Sequence, residues 1–145
     1  MTTGRPMNTG RADIEKLERL PRDERETWQG GFVPLCAWLY RDEGQRYHPI
    51  ALLWTSLRTD QMEVGGLYTP GAETYEDALE LLADFAVDEE VAGYKPGHVE
   101  VNDPDLAEWL QGALGEVDIR VSWGDRLEGL EEAATRLAHE LTGER

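Results

Sequence analysis

Apolar and polar residues alternate in two short stretches near the end of the chain, and a helical pattern lies between them. Residues 98–102 and 117–123 each place valine or isoleucine at every second position, which predicts two strands with one apolar face each. Between them, apolar residues recur at helical spacing over 103–114. Two strands joined through a helix of this length pair in parallel with a right-handed crossover. This segment therefore predicts an α/β arrangement with at least one helical layer.

Three earlier apolar stretches predict further strands. Residues 32–40 and 49–57 are apolar on both faces, as in central strands, and the charged loop 41–45 between them predicts a hairpin. Residues 62–68 follow a tight turn, which completes a three-stranded antiparallel meander. The charged stretch 22–27 reads as a connection, because it holds almost nothing to bury.

Helical periodicity of apolar residues predicts three further helices, at residues 12–20, 75–89 and 126–141. Thr74 precedes Asp77 at the spacing of a capping box, and Asp103 stands at the N-cap position of helix 103–114. Residues 1–11 have little to bury, so we expect a disordered tail. The remaining residues, 12–145, are long enough for a single domain with its own core.

Composition and charge narrow the class of protein. The chain of 145 residues has a formal net charge of −16, which argues against a partner held by its phosphates, such as nucleic acid or an anionic membrane. No apolar run approaches the roughly 18 to 20 residues of a membrane helix, and the first residues lack the apolar centre of a signal peptide, so we expect a cytoplasmic protein. Twelve arginines against two lysines, with thirty carboxylates, indicate a GC-rich bacterial genome or a salt-adapted one, and the sequence leaves this choice open.

No strong catalytic motif is present in the sequence. Its three histidines lack metal-ligand spacing, its serines lie outside a nucleophile elbow, and no glycine-rich loop has the phosphate-binding pattern. The single cysteine, Cys36, excludes an internal disulfide and is expected to be buried. Most of the five tryptophans are expected in the core. Trp123 is the exception, because it follows the last strand at the end where open α/β sheets bind ligands.

The order of elements over about residues 32–141 resembles that of the ribonuclease H-like fold: β-β-β-α-β-α-β-α. The resemblance implies an α+β three-layer domain with a mixed five-stranded sheet in the order 3-2-1-4-5, to which this chain adds a short N-terminal helix. Local sequence also resembles an uncharacterised bacterial domain family. The resembling residues are Arg-Tyr-His-Pro at 46–49, Asn-Asp-Pro-Asp-Leu-Ala at 102–107 and the Leu-x-x-Leu-x-x-Ala helix at 127–133. That second resemblance implies a fold and no activity.

Ribonuclease H-like nucleases hold two divalent ions with carboxylates from the first strand, the first helix, the fourth strand and the last helix. The resemblance implies ligands from the first helix (Glu76 or Glu80), the end of the fourth strand (Asp103 or Asp105) and the last helix (Glu131 or Glu132). Glu76, Asp103 and Glu131 are the candidate ligands of Mg²⁺ or Mn²⁺ in a divergent phosphodiesterase or nuclease. The first two predicted strands contain no acid, so the carboxylate on which such nucleases depend most is missing.

The polar face of the two parallel strands is the most suggestive binding site. If the strands are neighbours, Glu100 and Asn102 lie beside Arg120, and Glu100 could pair with Arg120. Trp123 and Asp125 follow at the end of the second strand and complete the candidate set. A structural alternative is a solvated sheet edge whose charges discourage edge pairing.

We therefore expect a non-catalytic interaction or regulatory module with a protein partner, no metal and no cofactor. Two alternatives remain open: the Mg²⁺- or Mn²⁺-dependent phosphodiesterase, and an acidic nucleic-acid mimic that occupies a basic groove with its carboxylates. The sequence leaves the partner and the oligomeric state open.

Overall fold

The structure is a computed structural model that describes residues 5–35, 38–40, 44–90 and 92–142. Its helices are α1 (Arg5–Glu18), α2 (Tyr75–Val87), α3 (Pro104–Leu114) and α4 (Glu128–Thr142). Its strands are β1 (Arg22–Pro34), β2 (Leu39–Tyr40), β3 (Arg46–Tyr47), β4 (Ile50–Ser56), β5 (Met62–Tyr68), β6 (Lys95–Val101) and β7 (Arg120–Trp123). A 3-10 turn, Gly115–Val117, connects α3 with β7. Among the described residues, no helix combines the length and the apolar composition needed to cross a membrane.

Five strands form one mixed sheet in the order β5-β4-β1-β6-β7. The pairs β5–β4 and β4–β1 are antiparallel, and the pairs β1–β6 and β6–β7 are parallel. The predicted α+β class with a mixed five-stranded sheet is therefore confirmed. The strand order differs in detail from the prediction, because an unpredicted two-stranded ribbon, β2–β3, is inserted between β1 and β4.

Helices cover the two faces of the sheet unequally. On one face, α1, α2 and α3 enclose the larger core, in which Trp28 and Trp54 are fully buried. On the other face, α4 packs through residues such as Leu130 and Leu137 onto β1 and β4, where Leu53 lies. Among the described residues, this second core takes no side chain from β6 or β7. Half of this face is therefore left without a helix over it.

The central strand β1 differs most from the sequence prediction. The prediction placed a connection at 22–27 and a strand at 32–40, whereas β1 starts at Arg22 and ends at Pro34. Trp28 in its middle lies between Ser56 of β4 and Val99 of β6. Pro34 ends the strand because proline has no N–H to donate to a ladder.

Two other boundaries also differ from the prediction. Helix α1 begins at Arg5, within the stretch predicted as a tail. Strand β7 begins at Arg120 rather than at residue 117, because Val117 lies in the 3-10 turn and Asp118 adopts a left-handed conformation with a φ of 63°. Such a conformation interrupts extended backbone.

The two predicted helix caps are confirmed. The side chain of Thr74 accepts a hydrogen bond from the backbone N–H of Asp77, and the side chain of Asp103 accepts one from the backbone N–H of Asp105. The prediction for Trp38 is wrong, because that side chain is 47% exposed in the segment that leads to β2. Cys36 lies outside the described residues.

Candidate functional site

The part of the sheet that α4 does not cover carries polar side chains. Alternation along β6 places His98 and Glu100 on this face, and the register places Arg120 and Ser122 of β7 beside them. Asn102 follows directly after β6, at the end of this face. We call these five residues the polar half-face. The two residues on β7 are exposed and the other three are half-buried. The register thus brings Glu100 and Arg120 to one side of the sheet, and Asn102 lies just beyond the end of β6.

The predicted ion pair between Glu100 and Arg120 is wrong. In the parallel register Arg120 lies opposite His98, and Glu100 lies opposite Ser122. Instead, Glu100 Oε1 accepts a hydrogen bond of 2.8 Å from Gln29 Nε2, and His98 Nε2 lies 2.8 Å from Ser122 Oγ. Within the described residues, the Arg120 guanidinium forms neither an ion pair nor a hydrogen bond. It is therefore available to a group outside the chain.

Gln29 connects the polar half-face with helix α4. Its side chain is buried on the central strand, and its Oε1 accepts a hydrogen bond of 3.0 Å from the backbone N–H of Leu130 in the first turn of α4. Its Nε2 donates to Glu100. Gly129 allows this approach, because a Cβ atom there would lie 2.8 Å from Gln29 Oε1. Sequence reasoning missed Gln29, since residues 22–31 were not recognised as strand.

The remaining candidate residues lie where the parallel strands end. Trp123 is the last residue of β7 and is 52% exposed. Asp125 follows in the loop before α4. The backbone N–H of Gly124 donates a hydrogen bond of 3.0 Å to Val101 O, which holds this loop against β6. Asn102 is at the same end of the sheet. The structure therefore places Trp123 and Asp125 at one end of the polar half-face.

The three carboxylates of the nuclease alternative are not gathered into a metal site. Glu76 and Glu131 belong to α2 and α4, which pack on opposite faces of the sheet. Asp103 caps α3 through Asp105, and Glu131 forms an ion pair of 3.0 Å with Arg126. In the part of the chain that the structure describes, no group of three or more His, Cys, Asp or Glu side chains could hold a metal ion. These residues therefore do not fit Mg²⁺ or Mn²⁺.

The premise that the first strand carries no acid is wrong, because β1 begins at Arg22 and includes Glu26. The Glu26 carboxylate is fully buried and accepts hydrogen bonds of 2.9 Å from Trp28 Nε1 and Ser56 Oγ. Arg58 Nε also donates to it. Burial alone would raise the pKa of Glu26, but these donors outweigh burial and lower the pKa. Glu26 and Arg58 therefore form a structural ion pair, in which both oxygens of the Glu26 carboxylate accept hydrogen bonds.

Fold and site together define an α+β domain with one half of a sheet face left open and polar. Residues 13–138 match a family described as a domain of unknown function (DUF6930). The match covers most of the chain, which therefore belongs to this family, and the expectation of an uncharacterised domain family is confirmed.

No curated protein matches the chain. A similar solved structure is described as a cryo-EM structure of the simian T-cell lymphotropic virus intasome in complex with the PP2A regulatory subunit B56 gamma. The matching chain is 16% identical, with a TM-score of 0.44. The match covers 86% of the present chain and 42% of that chain, so the present chain spans less than half of its length.

Proposed function

We propose that this domain is a non-catalytic interaction or regulatory module of the bacterial cytoplasm that binds a protein partner through the polar half-face. The observation that carries the proposal is the unequal coverage of the sheet. Three helices pack on one face, whereas α4 packs on β1 and β4 and leaves the polar side chains of β6 and β7 open. Arg120 lies there exposed, and Trp123 is exposed at the end of β7; arginine and tryptophan are the residue types that most often anchor protein interfaces.

The charge pattern favours a protein partner over a nucleic acid. A net charge of −16 opposes the approach of phosphates, whose binding depends on a basic surface. The polar half-face itself is mixed, with Glu100 and Arg120 of opposite charge and three neutral or weakly basic neighbours. A surface of this kind suits a protein partner whose charges complement both signs.

We also propose that the domain has the ribonuclease H-like arrangement without its catalysis. When the ribbon β2–β3 is left out, the five strands of the sheet follow one another in the spatial order 3-2-1-4-5 of that fold. Its metal-binding positions have structural roles here: Asp103 caps α3, and Glu131 pairs with Arg126. A likeness of fold alone does not transfer an activity.

The proposal is tested by capture of partners from a lysate of the source cells with the wild-type domain and three variants. Arg120→Glu changes the open surface, Trp123→Ala changes the exposed end of β7, and Arg19→Glu makes the same charge change as Arg120→Glu at an exposed position beyond α1. We expect the first two variants to lose the proteins that the wild type and Arg19→Glu both retain. Identical sets of captured proteins for all four forms would contradict the proposal.

A direct assay of the purified domain on nucleic acid with Mg²⁺ or Mn²⁺ distinguishes the phosphodiesterase alternative from the proposal. The proposal predicts that the wild-type domain cleaves nucleic acid no faster than the Asp103→Asn variant does. This variant keeps the helix cap, because asparagine caps as well as aspartate, but removes a carboxylate that a metal site would need. Cleavage that the substitution abolishes would contradict the proposal.

A further inference from the structure

A cavity of about 460 Å³ opens at the carboxyl ends of β1 and β6, between the first turns of α2 and α3. Its described lining consists of two aromatic and three polar side chains: Phe32, Tyr75, Glu73, Asn102 and Asp103. The position follows from the topology, because β1 and β6 are parallel neighbours and each of the two helices begins at the same end of the sheet.

Both aromatic walls are held in place by neighbouring rings. The Phe32 ring makes an edge contact with Tyr68 at a centroid distance of 5.6 Å, and the Tyr75 ring lies 5.9 Å from that of Trp109. Fixed rings of this kind present flat faces, and the face of an aromatic ring attracts a cation. The cavity therefore has two aromatic walls whose positions are fixed by neighbouring rings.

The polar atoms that remain for a ligand are oxygen acceptors. Asn102 Nδ2 donates a hydrogen bond of 3.0 Å to Phe32 O, and its Oδ1 lies beside Gly31, 2.3 Å from where a Cβ would stand. Asp103 Oδ1 accepts from the backbone N–H of Asp105, and Glu73 Oε1 accepts from the backbone N–H of Gly71, so each carboxylate retains its second oxygen. Among the described lining residues there is no Lys, Arg or His to neutralise these carboxylates.

The charged side chains in the described lining of the cavity are acidic. Burial raises the pKa of the Tyr75 phenol, and the carboxylates of Asp103 and Asp105 raise that pKa further, so the phenol stays neutral. A ligand that complements this cavity carries positive charge and several N–H donors.

We propose that this cavity binds a guanidinium group. A guanidinium is planar and permanently charged, it has no acceptor that would oppose the carboxylates, and its N–H donors lie in the plane while its face stacks on aromatic rings. The side chain of an arginine on a protein and a free guanidinium compound share this chemistry. The inference concerns the cavity alone and does not depend on the partner proposed for the polar half-face.

The experiment is an NMR titration of the domain, with the indole N–H of Trp109 and the side-chain amide of Asn102 as reporters. N-acetyl-arginine amide is the probe, and N-acetyl-citrulline amide is its neutral counterpart of nearly the same shape. We expect saturable shifts with the arginine amide and binding at least about tenfold weaker for the citrulline amide, since charge-assisted hydrogen bonds are lost. N-acetyl-lysine amide should bind several-fold more weakly than the arginine amide, because its ammonium is not planar.

Matched variants distinguish the cavity from the general attraction of an acidic protein for cations. Glu73→Gln and Asp103→Asn keep the hydrogen bonds to Gly71 and Asp105 and remove one charge each, so each should weaken binding about tenfold. Glu76→Gln removes one charge from the same helix turn outside the lining and should weaken binding less than about twofold. Equal effects of the three substitutions, equal binding of the arginine and citrulline amides, or equal binding of the arginine and lysine amides would each overturn the proposal.

A fourth probe separates the two sources of the guanidinium. Agmatine is a small molecule with the guanidinium group at one end of a short alkyl chain and a free amine at the other. The capped arginine amide represents arginine within a protein. Tighter binding of the capped amide supports a protein partner as the source, and tighter binding of agmatine supports a small molecule. Both outcomes retain the guanidinium assignment, and absence of saturable binding for both probes would overturn it.

Discussion

Two buried carboxylates have opposite effects on stability at the scale of single residues. Asp13 on α1 is only 4% exposed, and burial raises its pKa to about 6, with Lys16 lowering the pKa and Glu80 and Asp84 of α2 raising it further. Glu26 on β1 is also buried, but its hydrogen-bond donors outweigh burial and lower its pKa. The folded protein therefore favours a proton on Asp13 and disfavours one on Glu26.

We expect Asp13→Asn to stabilise the protein at pH 7 by up to about 3 kcal/mol, which corresponds to the rise in the pKa of Asp13 from 3.8 to about 6. The folded state holds this proton more tightly than the unfolded state, so the wild type loses stability as pH rises from about 4 to about 6. Urea denaturation at several pH values measures the effect. The gain should vanish near pH 4, and a gain independent of pH, or an equal gain for the exposed Glu140→Gln, would contradict the assignment.

Glu26→Gln should destabilise the protein at pH 7 by about 3 kcal/mol, because the substitution leaves the Arg58 guanidinium without its buried partner. The lowered pKa of Glu26 gives the opposite pH dependence to that of Asp13. Its stabilising contribution is present above the unfolded pKa and is lost as pH falls through the folded pKa. In the same urea series, the difference in free energy of unfolding between wild type and Glu26→Gln should shrink as the pH falls. A difference that stays unchanged down to pH 3 would contradict this account.

At the scale of elements, the amide of Gln29 fixes the start of α4 against the sheet. Gln29→Ala leaves the backbone N–H of Leu130 and the carboxylate of Glu100 without their partners, so we expect a loss of about 2 to 3 kcal/mol. Amide exchange of the first turn of α4 should accelerate more than that of α2. Gln111→Ala is the control, because its exposed side chain accepts only from the backbone N–H of Val121. A similar loss for the control would refute the special role of Gln29.

The elements that the sequence predicted well are those whose pattern is local. Strand β4 and helices α2, α3 and α4 each bury a continuous apolar stripe or stretch. The caps Thr74 and Asp103 mark two helix starts, and β5 is marked by the tight turn before it. Strand β1 could not be predicted from Arg22 onward, because its charged residues look like a loop. Glu26 is accommodated there by Ser56 and Arg58, which are distant in sequence.

The candidate site could be predicted to the level of a face and no further. Period-two alternation placed Glu100, Asn102 and Arg120 on one side of their strands. The register between β6 and β7 could not be predicted, because the left-handed conformation of Asp118 moves the start of β7 to Arg120. The role of Gln29 depends on α4, which approaches it only in the folded chain.

At the scale of the whole molecule, the sheet has one fully helical face and one face that is half covered. The covered half contains the apolar residues of β1 and β4 beneath α4. The open half contains the polar half-face, with Trp123 and Asp125 at its end. This division follows from the sequence, since His98 and Glu100 of β6 and Arg120 and Ser122 of β7, which face the side of α4, are all polar. This open half is the surface to which we assign the proposed partner.

The central claim is that a protein partner covers β6 and β7, and hydrogen–deuterium exchange of the free and partner-bound domain tests it most directly. The account predicts that binding protects residues 98–102 and 120–125, while the exposed edge strand β5 exchanges at the same rate in both states. Protection confined to β5 or α1, with residues 98–125 unchanged, would contradict the account.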